Sequence, residues 1–283
     1  MIAPKLLSPG DNITVISPSR YAEKEKISGF INWAKSKGWN VVLPENIYRK
    51  HHQLGGTKEE RLAQIQNALE DETIKAVFSV RGGFGLMDLL PELSRLDFRK
   101  NPKWWIGFSD VTVLHNILQQ QGLASLHASM PMQFSSNSIQ SFEYIAEAIT
   151  TPYNNIKGVN SSCKASIYGG NLSILYALSA SNMLSIPKNS ILFIEEVDEY
   201  LYHIDRMMRS LYIAGHISKN LQAIAVGYMT DLKDHDVAFG KNVNDIIRQY
   251  ADLVNIPVLF GIKSGHEHPN YAIKLGVDVT FVS

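Results

Sequence analysis

Ser109 ends an apolar run in the segment Trp104–Leu118, WWIGFSDVTVLHNIL, and an amphipathic stretch follows it directly. This order predicts a sharp turn between a strand and a helix, with Ser109 at its tip. Such a turn lifts the hydroxyl out of the sheet, and the unpaired backbone N–H groups at the helix start can stabilise a developing oxyanion. Serine and aspartate are also common helix caps. The segment alone therefore allows two interpretations, a serine nucleophile or an ordinary cap by Ser109 or Asp110.

A glycine-rich loop lies in the segment Ser79–Gly85, SVRGGFG, again between an apolar strand and a predicted helix. Its glycines, Gly82, Gly83 and Gly85, let a ligand approach the backbone N–H groups. Neither glycine pattern typical of dinucleotide or phosphate loops is present, so phosphate binding is a weak hypothesis. Two hypotheses remain: a tight turn, or an oxyanion hole in which the N–H of Gly83 joins the N–H of Asp110.

A serine hydroxyl needs a base to take its proton, and His266 is the best candidate among nine histidines. It follows the apolar run Val258–Ile262, and α/β sheets place ligand sites beyond the carboxyl ends of their strands. His268 forms an HxH pair with it, but no clear cluster of further metal ligands accompanies the pair. We therefore expect neither a metal nor an organic cofactor. His115 and His127 are expected in the core or behind the site, and the other five histidines on the surface.

A carboxylate that orients this base is expected in Ile191–Glu199, ILFIEEVDE, where four acids close an apolar strand. So many acids at a buried strand end indicate that some of them have a role in a cleft. Glu195 is the first acid after the apolar run and is predicted to point into that cleft. The alternative is a solvated loop whose acids cap the next helix. Cys163, the single cysteine, lies in a Ser-rich stretch without a glycine turn and is disfavoured as a catalytic thiol.

Short apolar runs alternate with amphipathic segments around these residues, which predicts βαβ units and a mostly parallel sheet. Strands are predicted at Ile13–Ser17, Asn40–Leu43, Ile74–Val80, Trp104–Gly107, Leu123–His127, Ile191–Glu195, Ala223–Val226 and Val258–Ile262. Helices are predicted at Tyr21–Lys37, Lys58–Leu69, Leu86–Leu93, Val111–Gln120 and Phe142–Ile149. The alternating segment Tyr271–Val282 is predicted to form a closing hairpin.

The expected fold class is therefore α/β, with two domains. Residues 1–135 are expected to form an N-terminal domain with a doubly wound, mostly parallel sheet. Residues 136–165, rich in Ser, Asn, Thr, Pro and Gly, are expected to connect it to a second α/β domain over 166–283 with a β-rich end.

Composition restricts the function classes. The 27 basic and 27 acidic residues leave no net charge to attract nucleic acid or an anionic membrane, which favours a small peptide or small-molecule substrate. No apolar run is long enough to span a bilayer, and no leader pattern opens the sequence. A single cysteine excludes an internal disulfide and agrees with a reducing compartment. We expect a soluble, cytoplasmic protein.

Seven short motifs, in order along almost the whole chain, resemble those of the LD-carboxypeptidase family of serine peptidases, which includes the microcin C immunity peptidases. The matching segments are Leu7–Ser19, Arg81–Gly85, Ile106–Asp110, Gly169–Leu172, Ile194–Glu199, Tyr202–Arg206, and Gly265–His266 with Asn270 and Leu275–Gly276 beyond it. Each motif is weak alone, but their shared order is specific. The chain departs from the family at Glu196, where Asp is usual, and at Lys274, where Pro is frequent. Both departures bear on the substrate pocket rather than on the triad.

The resemblance implies a catalytic triad of Ser109, His266 and Glu195, with Gly83 and Asp110 as the oxyanion donors. It also implies a nucleophile domain and a smaller C-terminal domain that supplies Glu and His, with the active site in the cleft between them. The implied enzyme is a serine carboxypeptidase that cleaves the L,D-amide bond before the terminal D-amino acid of cell-wall (murein) tetrapeptides. The implied assembly is a homodimer.

Two alternatives stay open. A microcin C immunity-type enzyme would cleave peptidyl- or acyl-nucleotide amides, and an aromatic side chain that stacks on the base would favour it. The sequence does not place Trp104, Trp105 or Tyr168 in such a pocket. A non-catalytic α/β binding protein would hold a small ligand in the same cleft without turnover.

Overall fold

The computed structural model describes residues 1–135, 138–157, 159, 161, 163–181 and 183–282. Residues 136, 137, 158, 160 and 162 of the expected connection, and residues 182 and 283 of the expected second domain, lie outside the described residues. The strands are β1 (Asn12–Ile16), β2 (Asn40–Val42), β3 (Ile74–Ser79), β4 (Trp104–Gly107), β5 (Ser125–His127), β6 (Asn155–Lys157), β7 (Lys164–Asn171), β8 (Ile191–Val197), β9 (Ala223–Thr230), β10 (Val258–Leu259), β11 (Ile273–Leu275) and β12 (Asp278–Val282). The helices are α1 (Lys24–Ser36), α2 (Lys58–Glu70), α3 (Leu90–Leu93), α4 (Thr112–Gln120), α5 (Ile139–Thr150), α6 (Leu172–Ala180), α7 (Leu201–Ile213) and α8 (Val243–Leu253).

The first sheet has the spatial order β11-β5-β4-β3-β1-β2. Its neighbouring strands run parallel, except that β11 pairs antiparallel with β5. The central strands β1, β3 and β4 are apolar and almost wholly buried, as strands covered by helices on both faces require. The predicted α/β fold class is therefore confirmed.

The second sheet has the order β10-β9-β8-β7-β12-β6, with β7 to β10 parallel and β12 antiparallel to β7. Strand β7 was not predicted, because the pair Gly169-Gly170 near its end is typical of a loop. A Cβ on Gly169 would lie 2.0 Å from the carbonyl oxygen of Phe193, and one on Gly170 would lie 2.5 Å from Oγ1 of Thr112. The two glycines therefore allow close packing against β8 and the start of α4.

The hairpin predicted over Tyr271–Val282 is wrong, because β11 and β12 belong to different sheets. Gly276, with a φ of 84°, lies between the two strands. Alternating apolar residues are expected both for a hairpin and for two separate strands that each bury one face, so the pattern cannot separate these cases. The segment from β11 to β12 thus links the two sheets directly.

An apolar cluster also joins the two halves of the fold, through contact between α4 and α6. Leu114 and Ile117 of α4 and Leu172 and Leu175 of α6 are buried in this cluster. Helix α4 starts just after Ser109, and α6 follows β7 without a break. Packing between these helices therefore holds the carboxyl end of β4 close to the carboxyl end of β7.

We expect Leu175→Ala to lower the free energy of unfolding by about 2–5 kcal/mol, because Leu175 is 1% exposed and its removal leaves a cavity in this cluster. Urea denaturation measures the change. Leu253→Ala is the matched control, since Leu253 is 58% exposed and should change stability by less than about 0.5 kcal/mol. Equal effects of the two substitutions would show that α6 is not part of the core that stabilises the fold.

Candidate active site

Ser109 lies on a sharp turn between β4 and α4. Its φ is 61°, a left-handed conformation that costs a non-glycine residue roughly 1–3 kcal/mol and is concentrated at functional sites. The turn is tight, because a Cβ on Gly107 would lie 2.8 Å from Cγ2 of Val111. A 3₁₀ turn at Ser109–Val111 leads directly into α4. Ser109 is thereby held at the carboxyl end of the first sheet, beside a helix N-terminus.

The glycine loop lies directly against Ser109. A Cβ on Gly82 would be 3.3 Å from the hydroxyl oxygen of Ser109, so a larger residue would crowd the candidate nucleophile. Gly83 follows with a φ of 106°, and in the described part of the chain its N–H donates no hydrogen bond. The structure therefore brings Gly83 and Ser109 together on the wall of one cleft.

The side chain of Asp110 points away from the cleft and ties the nucleophile turn to its surroundings. Its Oδ2 accepts hydrogen bonds from the hydroxyl of Ser19 (2.6 Å) and the backbone N–H of Leu86 (3.0 Å). Burial raises the pKa of Asp110, and both hydrogen bonds oppose that shift. Asp110 thus fixes Ser109 relative to the loop after β1 and the end of the glycine loop, a role that sequence reasoning missed.

Arg61 of α2 holds the same two loops from the opposite side. Its guanidinium is fully buried, and Nη1 donates to the carbonyl oxygens of Pro18 (3.0 Å) and Gly85 (2.7 Å). Nη2 donates to Asp88 at 2.8 Å. An arginine on an amphipathic helix is usually a solvated charge, so no local pattern indicated this role.

His266 and Glu195 are in direct contact, and both come from the second half of the chain. Nδ1 of His266 lies 2.7 Å from Oε2 of Glu195, which is fully buried at the end of β8. The imidazole also packs on Phe108, with ring centroids 4.7 Å apart. His266 lines the same cleft as Ser109, so the structure brings the three predicted triad residues to one place.

The neighbouring acids have other partners. Glu196 accepts hydrogen bonds from the side chain of Asn171 (2.9 Å) and the backbone N–H of Ser173 (2.7 Å), so it stabilises the start of α6. Glu199 pairs with His203 at 2.8 Å. Side chains alternate between the two faces of a strand, so Glu195 and Glu196 point in opposite directions. This alternation explains why Glu195, rather than Glu196, contacts His266.

The contact between Glu195 and His266 shifts the pKa of both groups. Burial lowers the pKa of His266, but the hydrogen bond and charge of Glu195 outweigh it, so the net shift is upward. Burial raises the pKa of Glu195, against the effect of the His266 hydrogen bond. An imidazole with a raised pKa is a stronger base, and the carboxylate at Nδ1 leaves Nε2 as the proton acceptor.

Asn270 fixes the loop that carries His266. Its side-chain oxygen accepts from the N–H of Gly265 (3.0 Å), and its amide donates to the hydroxyl of Ser129 beyond β5 (3.1 Å). Its backbone N–H donates to Ser141 at 2.9 Å. One buried side chain therefore joins the His266 loop to the first sheet. The sequence motif included Asn270, but nothing in the motif indicated these partners.

The two members of the HxH pair point to different partners. While His266 contacts Glu195, Nδ1 of His268 lies 3.3 Å from the hydroxyl of Ser141. The described residues contain no group of three His, Cys, Asp or Glu side chains that could hold a metal ion.

His115 and His127 are core residues behind Ser109. Nε2 of His115 contacts the carbonyl oxygen of Gly107 at 2.9 Å, and burial lowers the pKa of His115 to about 4. His127 packs edge-on against Phe108 and Phe193, and burial lowers its pKa well below the ordinary value. Both rings are therefore neutral packing groups, within the range of roles that the sequence predicted.

The cleft has a volume of about 600 Å³. Its wall is formed by Arg20, Lys26, Arg81, Gly82, Gly83, Phe108, Ser109, Met130, Met132, Gln133, Val197, Asp198 and His266. Trp104, Trp105 and Tyr168 are buried elsewhere and are absent from the described wall. Lys274 is also outside it, because its ammonium donates to the carbonyl oxygens of Thr151 and Tyr153, just beyond α5.

Known proteins resemble this chain over nearly its whole length. Residues 13–128 match the LD-carboxypeptidase N-terminal domain, and residues 164–281 match the LD-carboxypeptidase C-terminal domain. A probable murein peptide carboxypeptidase of Bacillus subtilis (strain 168) is 28% identical over 287 residues, covering 96% of this chain and 89% of the relative.

Solved structures show the same fold. The crystal structure of muramoyltetrapeptide carboxypeptidase from Oxalobacter formigenes superposes with a TM-score of 0.81 at 25% identity, covering 94% of this chain and 92% of that one. MccF in complex with glutamyl sulfamoyl guanosine superposes with a TM-score of 0.83 at 21% identity, covering 97% of this chain and 94% of that one. At this identity the likeness shows the fold alone. The predicted family is confirmed: the chain belongs to the LD-carboxypeptidase family and is a carboxypeptidase.

Proposed function

We propose that this carboxypeptidase hydrolyses the L,D-amide bond before the terminal D-amino acid of murein tetrapeptides, using Ser109, His266 and Glu195 as its triad. The observation that carries the proposal is the 2.7 Å contact between His266 and the buried Glu195, on the same cleft as Ser109. The murein substrate class is supported by the names of the Bacillus subtilis relative and the Oxalobacter formigenes structure.

In this mechanism His266 takes the proton of the Ser109 hydroxyl at Nε2, and the serine oxygen attacks the amide carbonyl carbon. Glu195 accepts the Nδ1–H and stabilises the imidazolium that forms. The N–H groups of Gly83 and Asp110 bind the tetrahedral oxyanion. The imidazolium then protonates the leaving amine, and water releases the acyl group from Ser109 by the same route.

Substrate binding must complete the proton-transfer contact. Among the described residues, the hydrogen-bond contact of the His266 ring is with Glu195 and not with the Ser109 hydroxyl, although Ser109 and His266 both line the cleft. Catalytic hydrogen bonds often reach their final length only in the complex with substrate. Ser109 follows β4 of the first sheet and His266 follows β10 of the second, so a small closing movement between the sheets would bring the hydroxyl and the imidazole closer together.

Activity on nucleotide amides has less support. A pocket for a nucleobase is expected to offer an aromatic face for stacking, but Trp104, Trp105 and Tyr168 are buried away from the cleft. Phe108 lies on the cleft wall, but it is 1% exposed and packs on His266. Membership of a carboxypeptidase family replaces the hypothesis of a non-catalytic binding protein.

Assembly and location stay predictions. The resemblance implies a homodimer, and the sequence suggested the cytoplasm. Among the described residues, no helix is long and apolar enough to cross a membrane.

We expect Ser109→Ala to abolish release of terminal D-alanine from a murein tetrapeptide, with a loss of roughly 10³–10⁶-fold in kcat, because no nucleophile remains. Chromatography of free D-alanine measures the rate. Ser28→Ala, at an exposed position of α1, is the matched control and should keep full activity. Ser109→Ala protein that folds normally and still releases D-alanine at the wild-type rate would disprove the nucleophile assignment.

We expect kcat/KM to fall as the pH drops through a midpoint above the ordinary histidine value of about 6.5, because the base must be neutral and Glu195 raises its pKa. Glu195→Gln should reduce kcat by roughly 10²–10⁴-fold and move this midpoint to lower pH, since burial then favours the neutral imidazole. Full pH–rate profiles measure both effects.

Glu199→Gln is the control for that profile, because Glu199 pairs with His203 instead. Its midpoint should match that of the wild type. If the midpoint moved in Glu199→Gln and not in Glu195→Gln, Glu199 rather than Glu195 would orient the imidazole, and the assignment of Glu195 would be wrong.

A further inference from the structure

Arg20, in the loop after β1, stands beside the glycine loop on the wall of the cleft. A Cβ on Gly83 would lie 2.3 Å from Cδ of Arg20 and 3.6 Å from its Nε. The stem of Arg20 therefore covers the residue whose N–H we assign to the oxyanion hole. The Arg20 guanidinium therefore starts beside Gly83.

The other cations of the cleft have acidic neighbours within the protein. Nζ of Lys26 lies 3.1 Å from Oε1 of Glu23, and Nη1 of Arg81 lies 4.0 Å from the same oxygen. Asp198, the acid on the cleft wall, forms an ion pair with Lys233. These pairings leave no acid on the described wall for Arg20.

Arg20 itself forms no ion pair with any described residue, and its buried Nε has no hydrogen-bond acceptor among them. A buried donor without an acceptor destabilises the protein unless something else accepts the bond. Nε is covered by the protein itself, so the Nη groups of Arg20, which lies on the cleft wall, are the donors that can reach an anionic ligand there. The guanidinium fork fits a carboxylate, because two parallel N–H groups can donate to its two oxygens.

The chemistry of a carboxypeptidase places such a carboxylate at this point. In its substrate the terminal carboxylate carbon is one residue beyond the scissile carbonyl carbon, a separation of roughly 3–4 Å. A group that recognises the terminal carboxylate must therefore stand next to the oxyanion hole. Among the cations of the described cleft wall, Arg20 is the one in contact with Gly83 and without an acidic partner.

We propose that Arg20 binds the terminal carboxylate of the substrate and thereby restricts cleavage to the last residue of the peptide. This assignment rests on the proposed function, because it places the scissile carbonyl at Ser109 and its oxygen at Gly83. The carboxylate accepts hydrogen bonds from the guanidinium while the leaving amine receives its proton from His266. Arg20 takes no part in bond breaking, so it determines specificity and positions the substrate.

The test compares a murein tetrapeptide with its C-terminal carboxamide, which has the same scissile bond and no terminal charge. We expect the wild type to prefer the acid by about 10–100-fold in kcat/KM, the range of a charge-assisted hydrogen bond. Arg20→Met should lower kcat/KM for the acid far more than for the carboxamide, mainly through a higher KM for the acid, and so remove this preference. Arg20→Lys should restore part of it. Lys26→Gln is the matched control and should keep the wild-type preference, because Lys26 is paired with Glu23.

Two kinetic outcomes would overturn the assignment. If Arg20→Met slowed the acid and the carboxamide equally, Arg20 would act on the oxyanion or on the shape of the glycine loop. If the preference for the acid persisted in Arg20→Met, another group would bind the carboxylate.

Binding to Ser109→Ala separates this proposal from the proposed function. Calorimetry should show tighter binding of the acid than of the carboxamide, and Ser109→Ala/Arg20→Met should bind both alike. If the wild type released no D-alanine but this binding difference were found, the proposed hydrolysis would fail and the Arg20 assignment would stand. Equal binding of both peptides to Ser109→Ala would reject Arg20 as the carboxylate site.

Discussion

The hydrogen bond between His266 and Glu195 can serve catalysis only if the imidazole is also held opposite Ser109, which follows a strand of the other sheet. Proton transfer requires heavy atoms within roughly 2.6–3.2 Å, so a displacement of one sheet by a single ångström would matter. Both Glu195 and Ser109 lie at or next to the carboxyl ends of buried parallel strands. Proton transfer therefore also requires that the two sheets keep a fixed position relative to each other.

Buried polar side chains fix the loops that carry the catalytic groups, and one of them, Asn270, also joins the two halves of the site. Asp110 and Arg61 hold the nucleophile turn and the glycine loop from two sides, and Asn270 holds the His266 loop to the end of β5. Each such group would be costly without its partners, because a buried polar atom that loses a hydrogen bond is destabilising by about 1–3 kcal/mol. The same cost penalises alternative loop positions. These side chains therefore limit the movement of catalytic groups without touching the substrate.

The parts of the fold that could be predicted are those with a local signal. Strands such as Trp104–Gly107 are continuous apolar runs, and Ser109, Glu195 and His266 adjoin or follow such runs. The missed features depend on partners that are distant in the sequence. Asn270 is hydrogen-bonded to Ser129, 141 residues earlier in the chain, and Asp110 to Ser19, 91 residues earlier. Strand β7 was hidden because its glycines serve contact with another strand rather than a turn. Periodicity within a short window carries no information about either kind of contact.

The pairing of β11 with β5 has a consequence for the order in which the protein can be built. As the chain leaves the ribosome, the first sheet keeps an open edge at β5 until residues 273–275 have emerged. An open strand edge is a template for pairing with other chains. After β5 has been made, nearly 150 further residues must be translated before β11 can cover this edge. At ordinary translation speeds the edge is therefore exposed for roughly 10–30 s. A chaperone that binds the ribosome-bound chain during this interval would protect it from pairing with other chains through this edge.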